Sequence, residues 1–213
     1  MASWDYGAEG RAYRVLPGTS WMCGRHVFTC ISAFELTTLG AITLVYSDPP
    51  WNQGNVNSFR TKAGLGRADH GWLDLYAHAR ALAGVAPCFL EGGVRQAPEV
   101  QAMLAGRVPF RHVIRQWPIT YYKRHRAVLH YTGPDPGALD PSGLDDDDTP
   151  VYVLARFPAG TVGDPCAGRG LTSRAAEAAG WASVNTELHP ARVSAALARL
   201  HAMTGCPVWQ LGP

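Results

Sequence analysis

No apolar stretch of this 213-residue chain approaches the roughly 20 residues that a membrane-spanning helix needs. The N-terminal segment MASWDYGAEGRAYRVLPG lacks the charged-then-apolar order of a signal peptide. Cysteine is sparse: five residues are scattered and never spaced CxxC, which argues against a disulfide framework and a zinc site. We therefore expect a soluble, cytoplasmic protein, and the length predicts a single domain, 1–213.

The net charge of the chain is low, but its charged residues are unevenly distributed along the sequence. The net charge is only +2, yet no acid occurs between Arg107 and Arg126, whereas residues 145–148 are four consecutive aspartates. The segment 133–150, GPDPGALDPSGLDDDDTP, combines turn formers with these acids and predicts an acidic surface linker within the domain, prone to disorder. One face of the protein is expected to be basic although the average is not.

Apolar runs alternate with helical patterns along the chain. AITLVYS (41–47) predicts a buried strand, HGWLDLYAHARALAG (70–84) a helix and VAPCFLEGG (85–93) a second strand. Residues 110–132 predict two strands around a turn, the first of them an edge strand because it contains Pro118. The Asn-, Gly- and Ser-rich segment 52–71 predicts a long loop that closes over a site.

The last third of the chain has a clearer order. GTVGDP, LTSRAAEAAG, WASVNTEL and PARVSAALARLHAMTG predict a strand, a helix, a strand and a helix, followed by the apolar piece CPVWQLG. A βαβα run predicts an α/β fold with a mainly parallel sheet and helices on both faces.

A glycine-rich turn, CAGRG, follows the strand GTVGDP. Glycines at the carboxyl edge of a sheet let a ligand approach the backbone at the helix N-terminus. Asp164 suits a ligand with an amine better than a pyrophosphate, and Glu187, about 20 residues on, can accept both hydroxyls of a ribose. S-adenosylmethionine meets both requirements. The alternative is that Gly168 and Gly170 serve only a tight turn and Glu187 is an exposed acid.

The strand 41–47 ends in Asp48-Pro49-Pro50-Trp51. Prolines end strand ladders, so the tetrapeptide could be a simple terminator. Because the prolines hold the backbone, the Asp48 carboxylate and the Pro49 carbonyl can instead accept both hydrogens of one NH2 group. Trp51 can stack a base, which is worth about 1–3 kcal/mol. The pattern favours methyl transfer to the amino group of a nucleobase, held in line with an activated methyl group.

The two motifs together resemble the S-adenosylmethionine-dependent amino-methyltransferases, which methylate adenine N6 or cytosine N4 in nucleic acid. DPPW is similar to their D/N/S-P-P-aromatic motif, and DPCAGRG to their D-P-F-x-G-x-G motif with Cys166 in place of the aromatic residue. The catalytic motif precedes the cofactor motif, which is the circularly permuted order of the beta class of DNA enzymes. The resemblance covers roughly residues 41–200 and implies a Rossmann-like methyltransferase fold.

The resemblance implies a role for each matched residue. It assigns the target base to Asp48, Pro49, Pro50 and Trp51, and the cofactor S-adenosylmethionine to Asp164, Pro165, Cys166, Gly168, Gly170, Glu187 and Asp48. Adenine N6 in DNA is the favoured target; cytosine N4, RNA adenine, a side-chain amide, or a non-catalytic nucleic-acid-binding subunit are alternatives. The chain between the motifs leaves no room for a large recognition domain, so sequence specificity is weak or supplied by a dimer mate.

Basic and aromatic residues interleave between positions 111 and 126, where they could track phosphates and stack bases, unless they form a solvated hairpin with core aromatics. An amine in a stacked duplex is inaccessible, so the substrate is single-stranded DNA or a flipped base. The expected nucleic-acid-binding residues are Arg60, Lys62, Arg111, Arg115, Lys123, Arg124 and Arg126. The histidines show no metal-ligand spacing, so no metal is expected. The strand beside the ribose site is either HVFTC (26–30) or CPVWQL (206–211).

Overall fold

The computed structural model describes residues 6–107, 111–122 and 125–212. Its strands are β1 (Ser20–Cys23), β2 (His26–Thr29), β3 (Leu44–Ser47), β4 (Cys88–Gly93), β5 (Val113–Tyr121), β6 (His125–Gly133), β7 (Thr161–Asp164), β8 (Ala182–Thr186) and β9 (Val208–Gln210). Its α-helices are α1 (Gln53–Lys62), α2 (Trp72–Ala83), α3 (Ala97–Ala105), α4 (Thr149–Leu154), α5 (Leu171–Ala178) and α6 (Pro190–Thr204), and two 3-10 helices span Glu9–Arg11 and Ala33–Glu35. Within the described ranges, no helix has both the length and the hydropathy to cross a membrane.

The strands form one sheet in the order β5-β6-β4-β3-β7-β8-β2-β1-β9. The five central strands from β4 to β2 are parallel, as predicted, and antiparallel pairs flank them on both sides. β5, which carries Pro118, lies at one edge as expected from the proline. β2, the HVFTC segment, pairs with β8 and therefore supplies the strand left open by the sequence, whereas β9 lies at the opposite edge.

Alternating residues of β3 pack against helices on opposite faces of the sheet. Leu44 and Tyr46 belong to an apolar cluster that includes α4 and α5, whereas Val45 packs in a cluster with α2 and α3. A strand that is buried on both faces needs an uninterrupted apolar run, which is what residues 41–47 contain. The prediction of helices on both faces is thereby confirmed.

The predicted loop 52–71 is wrong in its first half, because residues 53–62 form α1. The Asn52 side chain caps this helix by accepting the backbone N–H of Asn55 at 2.9 Å. Only Val56 of the helix is buried, so the sequence lacks the repeated apolar spacing by which a helix is usually recognised. The helix is specified by its cap and by this single contact.

The predicted acidic linker 133–150 is also different in the structure. Asp145 and Asp146 are only 8% and 4% exposed, so they are not part of a solvated linker. The side chain of Thr120 donates to Asp145 at 2.9 Å, and the backbone N–H of Tyr122 donates to Asp146 at 3.0 Å. Composition could not reveal these donors because they lie in and just after β5, more than 20 residues earlier in the chain.

A buried histidine joins β2 to the last turn of α5. Nε2 of His26 and Nε of Arg25 each lie 2.9 Å from Oε2 of Glu177, and Nδ1 of His26 lies 2.8 Å from Oγ of Ser183. Hydrogen bonds from Arg25 and His26 lower the pKa of Glu177 to about 2, and burial lowers the pKa of His26. Ser183 is 1% exposed and lines neither of the two described cavities, so we interpret this arrangement as structural.

We expect Glu177→Gln to lower the free energy of unfolding at pH 7 by about 1.5–3 kcal/mol, since it removes hydrogen bonds to a charged group. The depressed pKa of Glu177 stabilises the fold above its unfolded value of 4.5, and this contribution is lost as pH falls towards about 2. Urea unfolding between pH 7 and pH 3 should therefore show a shallower acid limb in the variant. Glu9→Gln, which breaks the more exposed pair with Arg199, is the control and should cost below about 0.5 kcal/mol. Equal costs for the two variants would contradict the assignment.

Candidate active site

The carboxyl ends of β3 and β7 lie side by side in the middle of the sheet. The chain continues from β3 to β4 on one side and from β7 to β8 on the other, and ligands of open α/β sheets bind in the crevice at such a point. A cavity of about 830 Å³ opens here. Its lining includes both sequence motifs, contributed by Asp48, Pro49, Pro50, Trp51, Asp164, Pro165, Cys166 and Gly168, and also Glu187.

Asp164 holds the two motifs together. Its Oδ1 accepts the Ser47 hydroxyl at 2.7 Å and the Cys166 backbone N–H at 3.0 Å, and its Oδ2 accepts the Thr172 hydroxyl at 2.6 Å. The carboxylate, 2% exposed, thus ties β3, the glycine turn and α5 to the end of β7. These three donors use three of the roughly four acceptor positions of the carboxylate, so Asp164 positions the cavity wall, and its contact with the cofactor stays a prediction.

The Asp48 carboxylate is oriented by its own motif. Nε1 of Trp51 donates to Oδ1 at 2.7 Å, and no described residue donates to Oδ2. The Pro49 carbonyl receives only a long contact of 3.4 Å from the hydroxyl of Tyr76, which bonds the Glu91 carbonyl at 2.8 Å instead. Two residues that line the cavity therefore carry acceptors with few protein partners.

Trp51 packs in a way that the sequence did not reveal. Its ring lies edge-on against Tyr121, with centroids 4.7 Å apart, and Tyr121 contacts Tyr122 at 4.3 Å. A side chain at Gly93 would meet the Trp51 ring at 3.0 Å, so this strand-end glycine makes room for the indole. The three aromatic rings line one side of the cavity and reach the exposed Tyr122 at its rim.

Several carboxyl groups lie close together at the floor of the cavity. Burial raises the pKa of Asp48 to about 7; the bond from Trp51 opposes this rise, and the charges of Asp164 and Asp146 add to it. Burial likewise raises the pKa of Asp164 to about 6, against the effect of its three donors. A wall of this kind favours a positively charged ligand, because a cation would relieve the repulsion between the carboxylates.

The two glycines of the turn serve different purposes. Both adopt positive φ angles, 55° at Gly168 and 75° at Gly170. Gly168 lines the cavity, whereas a side chain at Gly170 would approach Ala196 of α6 to 2.8 Å. Gly170 therefore permits close packing of α5 against α6, and of the two glycines Gly168 is the one that borders the cavity.

Glu187 follows β8 and lies at the far end of the cavity, 6% exposed. Its Oε1 accepts the backbone N–H of His189 at 2.9 Å, and its Oε2 lies 3.4 Å from Nη1 of Arg192. The Arg192 guanidinium also lies over the ring of Phe59, 4.9 Å from its centroid, and so joins α6 to α1. Glu187 lies at the cavity with a partner on each oxygen, and its contact with a ribose stays a prediction.

Cys166 replaces an aromatic residue of the motif that it resembles. Burial raises the pKa of its thiol well above the usual range, so it is no reactive thiolate. Cys166 packs in a cluster with Val56, Leu75 and Phe34, and the ring of Phe34 lines the cavity. An aromatic ring from the segment before β3 thus occupies this side of the cavity.

Several cavity residues were missed by sequence reasoning. Glu91 of β4 and Asp146 line the cavity and are 1% and 4% exposed, and Arg192 lies between Glu187 and α1. For Glu91 a signal existed, because an acid followed by Gly92 and Gly93 ends a strand otherwise composed of buried apolar residues. Asp146 was hidden within a run of four aspartates, which is typical of solvent-exposed segments.

The predicted basic residues lie in two places, in α1 and along the β5–β6 hairpin. Arg60 lines the cavity, and Arg126 follows the cavity residue His125 at the tip of the β5–β6 hairpin. Arg115 lies six residues before the cavity residue Tyr121 in β5, or about 20 Å at 3.4 Å per residue. Arg111 precedes β5 and Lys62 ends α1, and neither lines the cavity; Lys123 and Arg124 lie outside the described residues.

No protein-family model matches the sequence, and no curated protein is significantly similar to it. Solved structures are similar in fold. M1.HpyAVI in complex with SAM has a TM-score of 0.60 and 13% identity, over 82% of this chain and 98% of that chain. TTHA0409 from Thermus thermophilus, complexed with S-adenosyl-L-methionine, has a TM-score of 0.54 and 15% identity, over 84% of this chain and 95% of that chain.

A third solved structure is PvuII DNA methyltransferase, which is described as cytosine-N4-specific. Its TM-score is 0.57 and its identity 10%, over 83% of this chain and 87% of that chain. At identities between 10% and 15%, the likeness bears on the fold. The chain therefore has the α/β fold of these methyltransferase structures, as the sequence predicted.

Proposed function

We propose that this protein transfers the methyl group of S-adenosylmethionine to an exocyclic amino group of a nucleobase in DNA, with adenine N6 as the favoured acceptor. The observation that carries the proposal is the meeting of the two motifs at one cavity. Oδ2 of Asp48 and the Pro49 carbonyl, which are available as acceptors, lie at the end of β3, and the glycine turn and Glu187 follow the neighbouring β7 and β8. The similar structures with bound S-adenosylmethionine support the choice of cofactor.

The cavity fits this cofactor in size and charge. A volume of about 830 Å³ can hold a cofactor and a base together. Glu187 would hold the ribose hydroxyls and Gly168 would border the methionine end, whose sulfonium and ammonium charges suit a floor lined by Asp48 and Asp164. When bound, S-adenosylmethionine supplies an electrophilic methyl group on a positively charged sulfur.

The DPPW motif activates the acceptor amine. Oδ2 of Asp48 and the Pro49 carbonyl would each accept one amino hydrogen, which localises the nitrogen lone pair that is otherwise delocalised into the base. Trp51 holds Oδ1 and so fixes the direction of Oδ2. As the N–C bond forms, the amine must lose one proton, and Asp48 Oδ2 is placed to take it. The electron pair of the broken S–C bond stays on sulfur.

The aromatic wall favours a nucleobase over a small amine. Trp51, Tyr121 and Tyr122 form a continuous set of rings from the cavity to its rim, on which a flipped or single-stranded base can stack. Arg60 and Arg126 lie on this side of the protein and could contact the adjacent phosphates. Arg111, Arg115, Lys123 and Arg124 would extend such a basic surface along the hairpin.

Incubation of the protein with isotopically labelled cofactor and a mixed-sequence DNA pool tests the proposal. Nucleoside analysis of the product identifies the methylated base and atom together, and label in N6-methyladenine is the expected result. Absence of label from every base, with cofactor binding demonstrated by calorimetry, would contradict the proposal. DNA binding without cofactor binding would instead indicate a non-catalytic nucleic-acid-binding subunit.

Cytosine N4 is the second candidate acceptor, since its amine presents the same two hydrogens and one similar structure is described as cytosine-N4-specific. The same nucleoside analysis distinguishes the two, because N4-methylcytosine and N6-methyladenine separate. A parallel RNA pool identifies an RNA adenine substrate by the same measurement. Gel filtration with light scattering tests the homodimer suggested by the short region between the motifs.

We expect the transfer reaction to become faster with rising pH near neutrality. Asp48 must be ionised to accept amino hydrogens, and its pKa of about 7 implies that kcat/KM for the cofactor rises about tenfold between pH 6 and pH 8. A bound cation lowers this pKa, so the acid limb of kcat should lie at lower pH than that of kcat/KM. Asp48→Asn has no carboxylate here and should lose this limb. An unchanged limb in the variant would assign the titration to another group.

A further inference from the structure

Glu91 is a buried acid of β4 that the proposed mechanism does not use. It is 1% exposed, and its Oε1 accepts the Tyr46 hydroxyl at 2.5 Å. Its Oε2 is also buried and has no hydrogen-bond partner among the residues that the structure describes. Buried polar atoms in native proteins nearly always have a partner, so an unpartnered one that lines a cavity points to a ligand.

The position of Glu91 relates it directly to Asp48. β3 and β4 are parallel neighbours in which Ser47 pairs with Leu90, so Asp48 and Glu91 are the next pair in register. Paired residues of parallel strands point to the same face, about 4.8 Å apart. Both acids line the cavity, so the register places them side by side at its floor.

The surroundings of Glu91 affect its protonation. Burial, together with the charge of Asp48, raises the pKa of Glu91 well above its usual range, although the Tyr46 hydroxyl opposes this. This shift favours the protonated acid. A protonated Glu91 that accepts from Tyr46 at Oε1 carries its proton on Oε2 and can donate from there to a group beside Asp48.

We propose that Glu91 is a second base-recognition group, which donates through Oε2 to the ring nitrogen beside the amino group held by Asp48. This inference rests on the proposed function. Adenine presents an amino group beside the acceptor N1, and cytosine presents one beside the acceptor N3, so both match the acceptor and donor pair. Thymine and uracil have no amino group. The pair therefore matches adenine and cytosine and excludes thymine and uracil.

Glu91 could also have a purely structural role, which would need only a hydrogen-bond acceptor for Tyr46. Glu91 anchors Tyr46 through Oε1, and its backbone carbonyl accepts the Tyr76 hydroxyl at 2.8 Å. Glu91→Gln keeps an acceptor for Tyr46 and adds an amide N–H in place of the acid hydroxyl, whereas Glu91→Leu removes both. Tyr46→Phe removes the anchor alone and leaves Glu91 in place. The three variants separate anchoring of Tyr46 from donation to a base.

The test combines these variants with altered bases. Wild-type and variant proteins are given labelled S-adenosylmethionine with single-stranded DNA pools in which adenine is intact or replaced throughout by 1-deazaadenine, which lacks the ring acceptor. Matched pools contain cytosine or 3-deazacytosine. The ratio of kcat/KM for the intact and deaza pools is measured for each protein. Thermal unfolding and calorimetric cofactor binding verify that each variant is folded.

We expect the ratio of kcat/KM for the intact and deaza pools to be at least about tenfold higher in the wild type than in Glu91→Leu. A factor of this size is usual for one lost base contact. Glu91→Gln should keep most of the preference, and Tyr46→Phe should keep it although its absolute rate falls. Comparison within this cycle removes the effect of the deaza substitution on the amine itself. If the Leu variant fails to fold, a wild-type ratio near one is still decisive against the inference.

The outcomes separate two failures. Transfer to both intact and deaza pools with the same ratio in the wild type and Glu91→Leu overturns the role of Glu91 and leaves the proposed function standing. Absence of transfer from the wild type to any pool overturns the proposed function and this inference with it.

Discussion

Replacement of Asp48 by Ala is expected to reduce kcat for methyl transfer by at least about 10²–10³-fold, the usual cost of removing one preorganised hydrogen-bonding group. The variant loses both carboxylate oxygens. Trp51 holds Oδ1, and Oδ2 has no donor among the described residues and is therefore the oxygen that a substrate amine would meet. Its cofactor affinity should stay within about tenfold, or 1.4 kcal/mol, because the glycine turn and Glu187 are unchanged. Radiolabel transfer and calorimetry measure the two quantities on the same preparation.

The stability of the same variant should move in the opposite direction. Asp48 lies in a buried cluster with Asp164 and Asp146, and burial raises its pKa to about 7, so its removal relieves an unfavourable charge. We expect the melting temperature of Asp48→Ala to be unchanged or higher. Asp147→Ala, which removes an exposed carboxylate from the same cavity, is the matched control and should retain activity. Persistent transfer by Asp48→Ala would remove Asp48 from the reaction.

Replacement of Asp164 by Ala is expected to lower both stability and cofactor affinity. Ser47, Thr172 and the Cys166 backbone N–H would all lose their acceptor, and two of these donors are buried hydroxyls. The loss in the free energy of unfolding should be about 2–4 kcal/mol, offset in part by removal of a buried charge. Cofactor affinity should fall more than about tenfold, because the glycine turn is no longer held against β3. Urea unfolding and calorimetry measure these effects.

Two single-donor variants make the Asp164 experiment specific. Ser47→Ala and Thr172→Val each remove one of the three donors and should each cost about 1 kcal/mol of unfolding free energy. If Asp164 binds the cofactor directly, as the resemblance implied, Ser47→Ala and Thr172→Val should leave the cofactor affinity nearly unchanged while Asp164→Ala lowers it. If Asp164 acts by positioning, the two single-donor variants should also lower the affinity.

Local patterns predicted the central strands and the helices that follow them. The apolar run before Asp48 and the βαβα order after residue 160 are signals within single segments, so they gave β3, β7, α5, β8 and α6 close to their observed limits. The helix α1 was missed because Val56 is its only buried residue. The burial of Asp146 was also missed, because its hydrogen-bond donor, the backbone N–H of Tyr122, is distant in sequence.

The sequence by itself determined the two strand-end motifs, because each requires only residues that are consecutive in the chain. Proline geometry, glycine at positive φ and a buried apolar run are local properties, and they placed Asp48 and Gly168 at the edge of a sheet. Only the tertiary structure decided that Asp164 accepts from three protein donors and that Glu91, which follows the last β3–β4 pair, lines the same cavity as Asp48. The reason is that hydrogen-bond partners and burial, which set the charge and direction of these acids, come from segments distant in sequence.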